Sequence, residues 1–354
     1  MTAPNGGENA LPRLPLVPRR DPTGHKGTFG TVLILGGCAS SRKGAATMIG
    51  APALSARGAL RAGAGLVRIA APRPIIGQVI AASPSATGVA LPVDQNQEIL
   101  GHEAAIEIDR LLPDTACVVA GPGLGSIAGD RLLGPDPAGP TAAVLRVVQQ
   151  EDIPVVLDAD GLNLLGAVPE FWREIRGRVI LTPHPGEYRR MAAALEIDAD
   201  PIAPAARPAA AERLAQRLGA VVVLKGAGTV VSDGHRTWTC TAGHPCLATA
   251  GTGDVLAGVI AGLVAQFAPD AGEAARAGML AAIPPHLRAQ TAAHAKGAGR
   301  ATLDLYDCSR LAVEAHARAG ESWAARHGQA GLLADELADL IPESLESLRD
   351  PSNS

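Results

Sequence analysis

A layered α/β fold with a mostly parallel central sheet is what this sequence predicts, and three observations carry the prediction. Short β-branched runs alternate with Ala/Leu-rich segments of helical period, glycine-containing bends follow several of the runs directly, and one late helix is apolar on every side. The chain has 354 residues, 47% hydrophobic and 19% charged, which is enough to bury a large core and excludes a disordered polymer. It contains no run of 18 apolar residues, so no membrane-spanning helix is expected.

Taken in order, residues 1–20 are rich in Pro, Asn and Gly and read as an extension outside the fold. Residues 21–345 read as one domain and 346–354 as a tail. The strand and helix pairs are 31–35 then 51–62, 117–120 then 142–148, and 155–157 then 162–165. Strands 179–181 and 221–224 continue the pattern, and 229–231 with 236–239 form a hairpin around Asp233-Gly234. A helix beginning near Asp254 is apolar all round and should be buried. From about Pro284 to Thr302, Pro284-Pro285 and scattered His, Lys and Gly break the pattern, inside an expected insertion at about 268–309.

Composition narrows the partners. The net charge of -4 gives no general field toward nucleic acid or anionic lipid, and 2% aromatics leave few platforms for stacked bases. Neither a nucleic-acid nor a membrane partner is expected. Five cysteines without C-x-x-C spacing, and no apolar leader after Arg19-Arg20, point to a reducing, cytoplasmic location.

The unusual residues fall at strand ends. Gly36-Gly37, Gly121 to Gly125, Asp158-Ala159-Asp160, Thr182 to Glu187 and Lys225 to Thr229 each follow a strand directly, and in a parallel sheet such bends converge on one crevice. Gly251, Thr252 and Gly253 lead into the buried helix as an anion cradle, because glycines admit a ligand to the backbone and first-turn N–H groups attract negative charge. Asp254 then stands where a base could take a proton from an attacking hydroxyl, although an Asp there also serves as an ordinary helix cap.

Other chemistries lack their residues. Ser126 replaces the third glycine of a dinucleotide fingerprint, no G-x-x-x-x-G-K-[ST] occurs, and Ile106 stands where a zinc-protease motif from His102 needs its second histidine. Ser126 has no nucleophile-elbow setting. Of nine histidines, only His184 lies in a glycine/proline bend at a strand end.

Seven ordered motifs, from His25-Lys26-Gly27-Thr28-Phe29-Gly30 and residues 50–67 through 121–125, 157–163, 182–187 and 225–229 to Gly251-Thr252-Gly253-Asp254, resemble the ADP- or ATP-dependent NAD(P)H-hydrate dehydratases. The resemblance implies a ribokinase-like three-layer α/β/α sandwich. It implies repair of hydrated NADH or NADPH coupled to cleavage of ADP or ATP, with Asp254 as catalytic base. By position, Ala51, Gly125, His184 and Asp254 match contacts to the hydrated dinucleotide, while Lys225, Gly226, Ala227, Gly228, Thr229 and Gly253 match contacts to the adenine nucleotide. Glu187 and Asp158 are candidates to hold Mg²⁺ through water. A homo-oligomer, a tetramer being one form, and a separate epimerase as functional partner complete the expectations. His244-Pro245-Cys246 and Ala250-Gly251 depart from the family pattern of Asn-Pro-Gly and a double glycine. A small-molecule kinase of the same superfold, or a catalytically silent nucleotide-binding protein, stays open at this level.

Overall fold

The computed structural model describes residues 13–41, 46–125, 139–268 and 302–349. The chain runs through β1 (Thr31–Leu35), β2 (Cys38–Ala39), β3 (Thr47–Met48), α1 (Gly50–Arg61), β4 (Leu66–Pro72), α2 (Ile76–Ala82) and β5 (Thr87–Leu91). It continues as α3 (Gly101–Leu111), β6 (Cys117–Ala120), α4 (Gly139–Val148), β7 (Val155–Leu157), α5 (Asp160–Gly166), β8 (Val179–Leu181), α6 (Pro185–Ala194) and α7 (Arg207–Leu218). Strands β9 (Val221–Leu224), β10 (Val230–Ser232) and β11 (Thr237–Thr239) precede α8 (Thr252–Phe267), α9 (Leu305–His327) and α10 (Ala334–Arg349).

Among the described residues the main sheet has the order β11-β10-β9-β8-β7-β6-β1-β4-β5. All pairings from β9 to β5 are parallel, and only the β9-β10-β11 edge is antiparallel. Period-two alternation makes this a three-layer molecule. Val32 and Ile34 of β1 face a core built with α1, α8, α9 and α10, whereas Leu33 and Leu35 face a second core built with α4, α5, α6 and α7.

Small residues set the closest helix contact. A Cβ on Gly258 of α8 would lie 2.0 Å from the Ser55 carbonyl oxygen of α1, and one on Gly58 would lie 2.4 Å from that of Val255. The two backbones therefore touch, which places the amino end of α8 beside the sheet edge and explains why that helix is apolar all round.

Three expected boundaries shift. Val17 is buried and donates its N–H to the Leu348 carbonyl at 3.2 Å, while the Arg349 guanidinium donates to the Pro18 carbonyl, so the end of the 1–20 segment docks on α10. That helix in turn extends past residue 345. Residues 269–301 of the expected insertion lie outside the described residues, but α9 already begins at Leu305, inside the expected 268–309 block. The Leu303 N–H donates to the Phe267 carbonyl at 3.0 Å, which brings the two flanks together. No helix among the described residues is long and apolar enough to cross a membrane.

Candidate active site

Successive hydrogen bonds tie the carboxyl ends of the parallel strands into one rim. Gly36 N–H donates to Ala70, Gly121 to Leu35, Asp158 to Ala120, Thr182 to Leu157 and Lys225 to Pro183, at 2.8–3.2 Å. The five bends therefore lie side by side on one edge of the sheet. Gly121, with φ of +124°, has Asp158 O where a Cβ would stand, so only glycine allows β6 and β7 to turn out together.

Asp254 occupies the third position of α8, not its cap. The cap is Gly251, in the left-handed region at φ of +89° with no side-chain hydrogen bond. Burial pushes the Asp254 carboxyl up to about 7; Asp158 and Asp160 add to that rise and Lys225 opposes it. The capping explanation for this aspartate is thereby removed. The Thr252 side chain turns inward, its hydroxyl donating to the Leu247 and Thr249 carbonyls, each at 2.9 Å.

Lys225 is the cation at the centre. Its Nζ lies 2.5 Å from Asp158 Oδ1 and 4.0 Å from Glu187 Oε2, and a Cβ on Gly253 would be 3.5 Å away. Burial works against its charge, but Asp158 and Glu187 outweigh burial and its pKa is raised. Asp158, 1% exposed, also accepts from Thr182 Oγ1 at 2.7 Å. Burial lifts the Glu187 carboxyl to about 7 against the pull of Lys225.

His184 caps α6 in a reciprocal box. Its Nδ1 accepts from Gly186 N–H at 2.9 Å, and its own N–H donates to Glu187 Oε2 at 2.8 Å. With Nδ1 accepting, the ring proton sits on Nε2, 3.3 Å from Glu187 Oε1. Burial and then Lys225 lower the His184 pKa, which keeps the ring neutral.

The small residues pack against one another. A Cβ on Gly123 would touch that of Ala51 at 3.2 Å, and one on Gly125 would touch Cys38. Gly125, at φ of +82°, donates its N–H to Asp160 Oδ2 at 2.9 Å. Ala159, between the two aspartates, has φ of +50° and ψ of -121°, an unusual conformation for a residue with a side chain. In the 225–229 loop, Gly226 and Ala227 are exposed and Thr229 Oγ1 donates to the Gly226 carbonyl at 3.0 Å.

Sequence reasoning missed two supports. His316 of α9 places Nε2 2.9 Å from the Thr252 carbonyl, and burial lowers its pKa to about 4, so a neutral Nε2–H donates to the first turn of α8. Buried Arg207 lies beneath the 225–229 loop. No strand-end signal marks either residue. Cys246, singled out as a departure, is buried with its thiol on the Gly320 carbonyl at 3.3 Å. It is a core contact of α9.

No group of three His, Cys, Asp or Glu that could hold a metal occurs among the described residues. Asp158 Oδ1 is already committed to Lys225 and Thr182. The side chains alone do not make a metal cage, and any divalent ion would need further oxygens from a ligand.

A three-layer sandwich of this strand order, with carboxylates and Lys225 on its carboxyl rim, has the ribokinase-like fold. The family model for NAD(P)H-hydrate dehydratase matches residues 32–343, and the chain belongs to that family. It is 34% identical over 328 residues to the bifunctional NAD(P)H-hydrate repair enzyme Nnr of Salinibacter ruber, covering 92% of this chain and 50% of that protein. The Escherichia coli enzyme of the same name is 32% identical, with 96% and 52% covered. This chain thus spans about half the length of these relatives. They are named bifunctional, which runs against the expectation of a separate epimerase. The structure of ADP/ATP-dependent NAD(P)H-hydrate dehydratase from Bacillus subtilis, co-crystallised with ATP/Mg²⁺, superposes with a TM-score of 0.65 at 26% identity, covering 94% of this chain and 95% of that one.

Proposed function

We propose that this protein dehydrates hydrated NADH or NADPH, coupled to cleavage of ADP or ATP, restoring the reduced cofactor with release of phosphate and AMP or ADP. The observation that carries the reading is Asp254, a carboxylate tuned to about 7 at the amino end of a buried helix and electrostatically coupled to Lys225. A base with that pKa is half ionised near neutrality, where proton transfer is most effective.

In the proposed sequence, Asp254 takes the proton of the hydroxyl on ring carbon 6 as its oxygen attacks the terminal phosphorus. The bond from that phosphorus to the bridging oxygen breaks, and AMP or ADP departs. The ring-nitrogen lone pair then expels phosphate from carbon 6, and loss of a proton from carbon 5 closes the ring double bond. Lys225 offers positive charge to the phosphates, with the 225–229 loop and Gly253 holding the nucleotide. Ala51 and Gly125 leave room for the dinucleotide, and the neutral His184 ring hydrogen-bonds it.

Glu187 and Asp158 would hold a nucleotide-borne Mg²⁺ through water, and the ion would supply positive charge to the phosphates. Cytoplasmic location and assembly as a homo-oligomer belong to the same proposal. The test is incubation with chemically prepared hydrated NADH and either nucleotide. Recovery of reduced-nicotinamide absorbance with equimolar free phosphate is expected. A stable phosphorylated product without that absorbance would instead mark a kinase, and nucleotide binding without turnover would mark a silent binder.

A further inference from the structure

We propose that Arg207 is the positioning residue of the 225–229 loop, a role that rests on the assignment of that loop to the adenine nucleotide. Arg207 opens α7, lies outside every motif of the rim and is only 4% exposed. Its guanidinium donates to three carbonyls: Pro201 at 2.7 Å, Leu224 at 2.8 Å and Gly228 at 3.4 Å. No carboxylate among the described residues pairs with it, and burial alone lowers its pKa. A side chain needed only to fill space would not carry a buried charge.

The three acceptors show what the charge achieves. Leu224 ends β9 and Gly228 lies just before β10, so one planar group grips both legs of the loop from below. Across the trans peptide, turning the Gly228 carbonyl inward directs the Thr229 N–H away from the guanidinium. Gly226 closes over the same group, for a Cβ there would stand 3.1 Å from both terminal nitrogens. Gly226 and Gly228 adopt φ of +143° and +63°, and the N–H groups of residues 226–229 find no acceptor among the described residues. Successive amides left open in this way form a concavity suited to an anion. Arg207 thus sets the loop's shape from the side opposite the ligand.

The experiment uses the full chain. In the wild-type protein, ADP should slow amide hydrogen exchange at residues 226–229; no slowing would sink the loop assignment and the inference with it. Arg207→Lys keeps the charge but replaces the fork by a single ammonium, which cannot hold three diverging carbonyls. Its KM for ADP and for ATP should rise about tenfold, with kcat at saturating nucleotide and KM for hydrated NADH within about twofold of wild type. Arg207→Gln should show the same split, and each melting temperature is recorded alongside. Wild-type slowing of exchange together with an unchanged nucleotide KM in Arg207→Lys overturns the inference alone. So does a parallel loss of kcat and of hydrate affinity, or failure of both variants to fold, since either outcome makes Arg207 a support of the core.

Discussion

The first turn of α8 and the 225–229 loop deliver glycines to the same rim, yet they are held in contrasting ways. The helix turn is gripped from several directions: Thr252 bonds back to Leu247 and Thr249, His316 reaches its carbonyl from α9, and the Ser55 hydroxyl donates to the Asp254 carbonyl at 2.9 Å. The loop is open above, with one guanidinium below it. On the proposed roles the contrast makes sense: a group that must meet a reacting atom is fixed by packing on a rigid element, whereas a loop that receives a flexible ligand needs its backbone shape alone.

The sharpest way to break this contrast is Asp254→Asn, which keeps size and removes basicity. Its kcat should fall about 10³-fold while ADP affinity stays within about threefold. Turnover near wild type would remove Asp254 as the base. Next in size is Gly258→Ala, which forces a methyl group against the Ser55 carbonyl where α1 and α8 touch. We expect a loss of about 3 kcal/mol in urea unfolding, and a shift below about 1 kcal/mol would show that the two helices can part cheaply.

The acidity of Asp254 gives a linked pair of expectations. Its folded-state pKa is raised, so the folded protein retains a proton that the unfolded chain loses between pH 4 and 7, and stability falls as pH rises through that window. Asp254→Asn should therefore be more stable than wild type at pH 8 by about 4 kcal/mol, the gain fading toward pH 4. Wild-type kcat/KM should climb with pH to a plateau above about 7, because only the ionised carboxylate accepts a proton. A profile that declines over this range would contradict the role.

Smaller still is His316→Ala, which releases one carbonyl of the helix turn; about a tenfold fall in kcat with KM for ADP nearly unchanged is expected. Ala227→Ser closes the series. On the exposed crest of the loop, it should alter no steady-state constant by more than about twofold.

Much of the fold was legible because its strands are short apolar runs ended by glycine or proline bends. Residues 31–35, 117–120, 155–157, 179–181 and 221–224 coincide with strands β1, β6, β7, β8 and β9. The alternation was harder to see in β4, where Arg68 interrupts the run, and in β5, an edge strand with an exposed start. The rim was legible for the same reason as the strands, since topology alone puts bends of a parallel sheet on one edge. Arg207 and His316 were not, because each acts through a backbone carbonyl of another segment. Thr252, the partner of His316, is 64 residues away in sequence. Whether Asp254 capped its helix was likewise a question of geometry. Residue type at the helix start allowed both readings, and only the left-handed Gly251 decides between them.

Ala159 carries one more consequence. A residue with a side chain in that conformation bends the chain so sharply that the two flanking acids serve different neighbours, Asp158 the Lys225 ammonium and Asp160 the Gly125 amide. Two like charges separated by one residue are thus steered apart by the alanine's twist. The methyl group that makes this bend awkward also denies the wider freedom a glycine would bring, so the two carboxylates keep their separate partners, the Lys225 ammonium and the Gly125 amide, without a ligand to sort them.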